Sequence, residues 1–389
     1  MPRIDSANCA AAVERVLGDR QRHELQLDPH PTGVHEAYAP LAHPPRLRIY
    51  VASHQGRHAL IDDRDQLSAD QRQRLEVIEA EYGTNEPNSL PAPSNPRLHC
   101  RSECKGEMLL LLGQDNRQRS PVDYVAFLDD DIEVRSSHLL QATELAARKA
   151  CPIFQLQLSA DSHAIWAQLK QTQRPETLEA AGPPQLWDAI SFVEVMAPVI
   201  AQPELDAGLL EVLAPFKSGF GWDFYLLPVL QQLFSDFQPG LYRGACMRHQ
   251  RPVQTAGTTR FSHGLTASQE EELLRAALLQ TLLSNPLGLE RHAFLQRLKA
   301  VLLQLGPVEQ ALASGLADHT ERQWRCRSLE QQHRQLQDQL QQLETAHQQE
   351  RERLEAALDA VHQSTTWRLG HLLTAPGRLA KRYLRGQRS

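Results

Sequence analysis

The sequence predicts an α/β domain followed by an all-α region and a C-terminal coiled coil, on three observations. The segment VDYVAFL is continuously apolar from Tyr124 to Leu128, as a strand buried on both faces is. Patterns of helical period separate the candidate strands, the alternation that builds a sheet with covering helices. From Leu329 onward, the apolar positions repeat in heptads.

Residues 6–18 suit a short helix, and LDPHPTGVHEAYAPLAHPP then reads as an extended connector, since proline and the residue before it avoid helix. RLRIYVASH sets Leu47, Ile49 and Val51 at strand spacing. SADQRQRLEVIEAEYG is predicted to be a helix, with Ser68 as N-cap and Leu75, Ile78 and Tyr82 on one face. A Pro/Asn/Ser-rich loop covers 85–96, and Lys105-Gly106-Glu107 leads into the helix-like MLLLL. The strand Tyr124 to Leu128 breaks into three aspartates. SSHLLQATELAARKA is a helix, CPIFQLQLS a strand, and FVEVMAPVI a further strand carrying Glu194. Beyond Gly264 the pattern turns helical: TASQEEELLRAALLQTLL offers Ser268 and Glu271 as a capping box, with breaks near Asn285–Pro286 and Gly306–Pro307. These features divide the chain into a helix and connector (1–45), an α/β domain (46–262), a helical region (263–327), a coil (328–363) and a tail (364–389).

The coil's seam steps through Leu329, His333, Leu336, Leu340, Leu343, His347, Glu350, Leu354, Ala357 and Val361. With two His and one Glu in it, the seam fits either a modest homodimer over 329–361 or a lone helix packed on its own chain. The tail holds Arg368, Arg378, Lys381, Arg382, Arg385 and Arg388 among Trp367, Leu369, Leu372, Leu373, Leu379, Tyr383 and Leu384, with no acid after Asp359. Such a segment suits either an anionic membrane surface or docking on an acidic body.

The chain's 389 residues hold 41 Lys and Arg against 47 Asp and Glu, a net charge of −6 that excludes general binding of nucleic acid. The six tail cations leave the remaining residues with twice that negative charge. A hydrophobic share of 41% excludes global disorder, and no apolar run reaches the roughly 18 residues of a membrane span. Asp5, Glu14 and Asp19 interrupt the start, unlike a secretory leader. The six cysteines are scattered, and Cys100 with Cys104 makes at best half a zinc site. The expectation is a cytoplasmic protein with reduced thiols, at most peripheral to the inner face of the plasma membrane.

Asp129, Asp130 and Asp131 stand at the carboxyl end of a buried strand, where open α/β sheets bind ligands. Three adjacent acids repel one another unless a cation neutralises them, and Mg²⁺ or Mn²⁺ takes oxygen ligands while leaving room for phosphates. Strand alternation would turn Asp129 and Asp131 to one side. A solvated acidic turn is the other reading. Asp223, after Gly219-Phe220-Gly221-Trp222, is either a general base or a helix N-cap, and Glu194 is either a buried orienting acid or an acceptor contact.

Several segments together resemble the GT-A glycosyltransferases, and more closely an uncharacterised GT-A-like family of plants and bacteria. DYVAFLDDDIEV is similar to a strand ending in an Asp-x-Asp metal motif, and FQLQLSAD to a segment ending in Asp, here Asp161. FVEVMAPVIAQ, SGFGWDF and MRHQRPVQTAG follow in the same order, so the likeness spans 46–257. The chain departs from the family in lacking a proline over 157–160 and in the order of residues about Trp222. The resemblance implies a GT-A-like, Rossmann-like mixed sheet with flanking helices, a Mn²⁺ or Mg²⁺ cofactor and a nucleotide-sugar donor. It implies Asp129, Asp131 and His249 as metal ligands and Asp223 as catalytic base, with Glu194 beside it. Ser53, Lys105, Asp129, Asp130 and Arg251 would meet the nucleotide, and Trp222 would stack on the sugar. SxxWRL at Ser364 to Leu369 resembles the stretch after coiled coils in bacterial surface-polysaccharide glycosyltransferases, which implies a glycan or lipid-linked acceptor. The rival expectations are a catalytically degenerate domain serving as a coiled-coil scaffold and a Mg²⁺-dependent nucleotidyl- or phosphotransferase.

Overall fold

The computed structural model describes residues 2–17, 41, 43–82, 95–163, 169–170, 186–251 and 260–305, with isolated helical positions at Gln348, Arg351, Arg353, Glu355, Ala356 and Ala360. The chain divides into two units, Met1–Glu321 and Arg322–Ser389. In the second unit the described positions are exposed, and Arg351 pairs with Glu355 at 3.4 Å one helical turn on. The heptad seam and the basic tail lie outside the described residues.

The first unit is a mixed α/β sheet with flanking helices, the fold class expected. Its strands are β1 (Leu47–Ser53), β2 (Leu60–Ile61), β3 (Leu75–Tyr82), β4 (Arg97–Cys100), β5 (Tyr124–Leu128), β6 (Ile132–Arg135), β7 (Ile153–Leu158), β8 (Trp187–Ala189), β9 (Val199–Ala201) and β10 (Gly240–His249). They run in the order β2-β6-β10-β7-β9-β5-β1-β3-β4, with β8 on β10. β4, β3, β1 and β5 are mutually parallel, β9 is antiparallel to both β5 and β7, and β10 is parallel to β7. Two reversals restore direction, so β1, β3, β5, β7 and β10 all end at one edge of the sheet. Every residue of β1, β5 and β7 is buried; β5 is an unbroken apolar run, whereas β1 also buries Arg48 and Ser53 and β7 buries Gln155 and Gln157.

The helices are α1 (Ser6–Leu17), α2 (Ala69–Gln73), α3 (Lys105–Gln118), α4 (Ser136–Arg148), α5 (Gln202–Asp206), α6 (Leu227–Leu233), α7 (Ala267–Leu283) and α8 (Arg291–Leu305). α1 packs on α6 and α7, and α7 on α8, within the same unit as the sheet. Among the described residues no helix is long and apolar enough to cross a membrane, and the five described cysteines are free thiols.

Three local expectations are corrected. The helix predicted from Ser68 stops at Gln73: Ser68 and Gln71 do form a capping box, but Leu75 to Tyr82 is a strand paired with β1 from Leu47↔Leu75 to Ser53↔Glu81. Pairing on both edges, with β1 and β4, overrides the local helical spacing. Glu194 lies in a loop that precedes β9, not in a strand. The box that opens α7 is Thr266 with Gln269: Gln269 N donates to Thr266 Oγ1 at 3.3 Å and Thr266 N to Gln269 Oε1 at 3.0 Å. Glu271, expected as a cap, is instead buried.

Candidate active site

The common edge of the strands gathers Ser53, Tyr82, Asp129 and His249, and the N-terminus of α3 brings Lys105 to it. The three aspartates form a turn rather than continuing the strand, with Ile132 N donating to Asp129 O at 3.2 Å. Neighbouring loops fix its backbone: Asp129 N donates to Met196 O (3.0 Å), while Asp130 O accepts from Ala59 N (2.8 Å) and Asp131 O from Gln250 N (3.1 Å).

Each aspartate faces its own cationic partner. Lys105 Nζ lies 2.5 Å from Asp129 Oδ1, Arg251 Nη2 lies 3.2 Å from Asp130 Oδ2, and His249 Nε2 lies 3.3 Å from Asp131 Oδ2. Burial pushes the Asp131 carboxyl up, but the hydrogen bond and charge of His249 outweigh it and hold the group below the usual range. Burial in turn pulls His249 down, and Asp131, the His163 carbonyl and Asp129 together raise it above an ordinary imidazole. Tyr82 bonds Asp130, and burial followed by that carboxylate pushes its phenol well up.

The residues present suit a divalent metal at one point. His249 Nδ1 lies 2.7 Å from His163 O. A carbonyl only accepts, so Nδ1 carries the ring proton and Nε2 is aimed at Asp131. A ring nitrogen lone pair facing a carboxylate needs either a second proton or a cation between them, and backbone support of the far nitrogen is the usual arrangement behind a metal-binding histidine. Asp131 and His249 therefore fit a metal that completes its shell with water and phosphate. Asp129 is turned to Lys105 instead, and among the described residues no group of three or more His, Cys, Asp or Glu could hold a metal ion.

Asp223 and Glu194 are buried, and the charges of both Asp223 and His249 act on Glu194. Gly219 and Gly221 take positive φ (76° and 85°), and Gly221 starts a π-helical turn over Trp222–Leu226, accepting from Leu226 N at 3.3 Å. Gly221 fills the cap position, so Asp223 is not the N-cap. Its carboxylate accepts from Phe224 N at 3.0 Å and from the backbone of Val195, next to Glu194. Burial pushes Asp223 up to about 7, with backbone N–H groups opposing and the charge of Glu271 adding to the rise. Burial, then the charge of Asp223, pushes Glu194 up to about 8, with His249 opposing. Glu194 N donates to Gln155 Oε1 at 2.7 Å, while Glu194 Oε2 and Gln155 Nε2 are buried without a protein partner.

Two expected site residues face elsewhere. Trp222 is wholly buried with its indole N–H donating to Leu209 O at 3.2 Å, so neither ring face is free to stack on a sugar. Ser53 is also buried: its hydroxyl donates to Glu81 Oε2 at 2.9 Å, and Glu81 further accepts from Gln55 N and Gly56 N at 2.7 and 3.0 Å. Ser53 is thus a peg that shapes the loop after β1, and His54 stands over Tyr82 at 5.3 Å. Lys105, by contrast, is no free surface lysine. Sequence reasoning missed Glu81, Tyr82 and Gln155; assigning 75–82 to a strand would have carried Tyr82 to the edge shared with the aspartates.

No family model matches the chain, and no curated protein matches it. Among solved structures it is similar to S. aureus TarS 1–349 in complex with UDP-GlcNAc, at 10% identity over 67% of this chain and 72% of that one, TM-score 0.37. It is also similar to the mannosyltransferase PcManGT from Pyrobaculum calidifontis in complex with GDP-Man and Mn²⁺, at 12% identity over 80% and 91%, TM-score 0.35. A third likeness is to CMP:2-keto-3-deoxy-manno-octonic acid synthetase complexed with CTP, at 13% identity over 60% and 99%, TM-score 0.31.

Proposed function

We propose that the chain is a metal-assisted glycosyltransferase of the GT-A kind, moving a sugar from a nucleotide-sugar donor to a hydroxyl acceptor. One observation carries the reading: the aspartate turn with its cations, at the carboxyl edge of the sheet, and a buried aspartate raised to about 7 are tied to adjacent residues of one loop, Asp129 N to Met196 O and Asp223 to the backbone of Val195. A group titrating near neutrality is matched to taking a proton from a hydroxyl.

In this reading Asp223 accepts the proton as the acceptor oxygen bonds to the anomeric carbon, and the bond from that carbon to the phosphate oxygen breaks. The electron pair leaves with the nucleoside diphosphate, whose charge Lys105 and Arg251 neutralise. Glu194, raised to about 8, is mostly protonated at neutral pH, which keeps negative charge beside Asp223 low. Mn²⁺ or Mg²⁺, held by Asp131 and His249, would supply Lewis-acid charge to the diphosphate.

A role in surface polysaccharide synthesis, a homodimer through 329–361 and a tail on anionic lipid rest on sequence features alone. A second reading, a non-catalytic scaffold, draws support from the pairing of each aspartate with a protein cation. Calorimetry of UDP, GDP and dTDP with and without Mn²⁺ separates the two. The transferase requires Mn²⁺-dependent affinity that Asp131→Ala abolishes; no affinity in the wild type leaves the scaffold.

A further inference from the structure

The loop that presents Asp223 is gripped from two sides. On one side the first turn of α3 donates to it, Gly106 N to Ser218 O at 3.2 Å and Glu107 N to Lys217 O at 3.0 Å. Gly106 and Gly219 touch through backbone: a Cβ on Gly106 would stand 2.4 Å from Gly219 N. On the other side is Glu270, in the first turn of α7 and wholly buried. Glu270 Oε1 accepts from Lys217 N at 2.7 Å, Oε2 accepts from Ser218 N at 2.8 Å, and the Ser218 hydroxyl donates to Oε2 as well. His263 Nε2 lies 2.6 Å from Oε1, and His263 Nδ1 accepts from Leu265 N at 3.3 Å, so Nε2 carries the proton that Glu270 accepts.

A carboxylate has about four acceptor positions, and these four donors match them. Three of the donors belong to residues 217 and 218, immediately before the glycines that turn the chain into Asp223. An amide at position 270 would keep one acceptor oxygen and set an NH₂ against a backbone N–H, forcing the loop to shift. The α3 turn on the other side of the loop begins with Lys105, the partner of Asp129, so the same backbone block spaces Asp223 from the diphosphate end of the cleft.

We propose that Glu270 is a positioning residue for sugar transfer: through Lys217 and Ser218 it fixes Asp223 in register with Lys105 and the aspartate turn. The inference rests on Asp223 being the base. It makes α7 part of the catalytic unit.

The test uses the full chain and the variants Glu270→Gln, Ser218→Ala, Asp223→Asn and Asp223→Asn/Glu270→Gln. Calorimetry follows UDP and GDP binding with Mn²⁺. Release of nucleoside diphosphate from UDP-glucose, UDP-N-acetylglucosamine and GDP-mannose follows transfer to water, and thermal denaturation follows folding. Glu270→Gln is expected to bind the diphosphates within about two-fold of the wild type while hydrolysis falls about 10- to 100-fold, the effect of a misplaced catalytic group. The double variant should be no slower than Asp223→Asn alone, because both changes remove the same contribution. Ser218→Ala, which keeps the carboxylate, carries the same test if Glu270→Gln does not fold, with a smaller loss of rate at unchanged affinity.

Wild-type hydrolysis in a folded Glu270→Gln, or in Ser218→Ala where Glu270→Gln does not fold, additive losses in the double variant, or affinity falling in step with rate overturns the proposal. A slow Asp223→Asn beside a wild-type Glu270→Gln removes this inference and leaves the base in place. No hydrolysis by the wild type, or an Asp223→Asn as fast as the wild type, removes both.

Discussion

Replacing Glu194 by glutamine should flatten the pH dependence of stability between mildly acid and alkaline conditions. In the folded chain burial, followed by the charge of Asp223, pushes the Glu194 carboxyl up to about 8, against 4.5 for an ordinary glutamate. An acid raised on folding is best tolerated protonated, so its stability is fully present below about 4.5 and is lost as pH rises through about 8. At about 1.4 kcal/mol per pH unit across that window, the wild type would lose up to about 5 kcal/mol that the amide, which does not titrate, retains. Urea denaturation of both proteins in EDTA, at about pH 5 and about pH 8.5, reads this as a difference of differences. The constant cost of burying an amide cancels, as does titration of Asp223 to the extent that the two sites are independent. Glu194→Gln should gain on the wild type by several kcal/mol at the higher pH. Parallel stability curves would mean that Glu194 is ionised throughout, and its role as a neutral neighbour of Asp223 would be lost.

Asp223→Asn should lower donor hydrolysis by about 100-fold or more without weakening the binding of Mn²⁺ and nucleoside diphosphate. The wild-type rate should climb with pH through about 7 as Asp223 loses its proton, and the variant should lack that limb. Gly106→Ala drives a Cβ to 2.4 Å from the Gly219 nitrogen, backbone that cannot swing aside, and should cost about 2–4 kcal/mol in thermal or urea unfolding. Trp222→Phe strips Leu209 O of its indole donor and leaves a void, for about 2 kcal/mol in the same assay. Diphosphate affinity should stay unchanged there, because the ring has no face on the cleft.

β5 could be read from the sequence because an unbroken apolar run leaves few alternatives, and β1 because Leu47, Ile49 and Val51 stand at strand spacing. The aspartate turn was legible for the same reason, since three acids directly after such a run stand at a strand end. β3 was not, because Glu76, Glu79 and Glu81 interrupt its apolar positions and leave Leu75, Ile78 and Tyr82 at helical spacing. Those acids are satisfied by distant partners: Arg48 and Arg119 on Glu76, Arg97 on Glu79, and the loop after β1 on Glu81. Nothing local announces them. Trp222 misled for a related reason: beside an acid it suggests sugar stacking, but the positive φ of Gly221 opens a π turn that sends the indole into the core. Glu270 carried no signal, since three of its four donors come from Lys217 and Ser218, 53 and 52 residues earlier in the chain, and only His263 is near in sequence.

The most direct measurement is a crystal structure of the full chain soaked with Mn²⁺ and UDP or GDP, with anomalous data collected for the metal. The account predicts a manganese peak bound by Asp131 and His249, the diphosphate against it, and Lys105 turned from Asp129 toward phosphate. Saturating ligand with no density at the carboxyl edge of the sheet, or a metal bound away from Asp131 and His249, would contradict it.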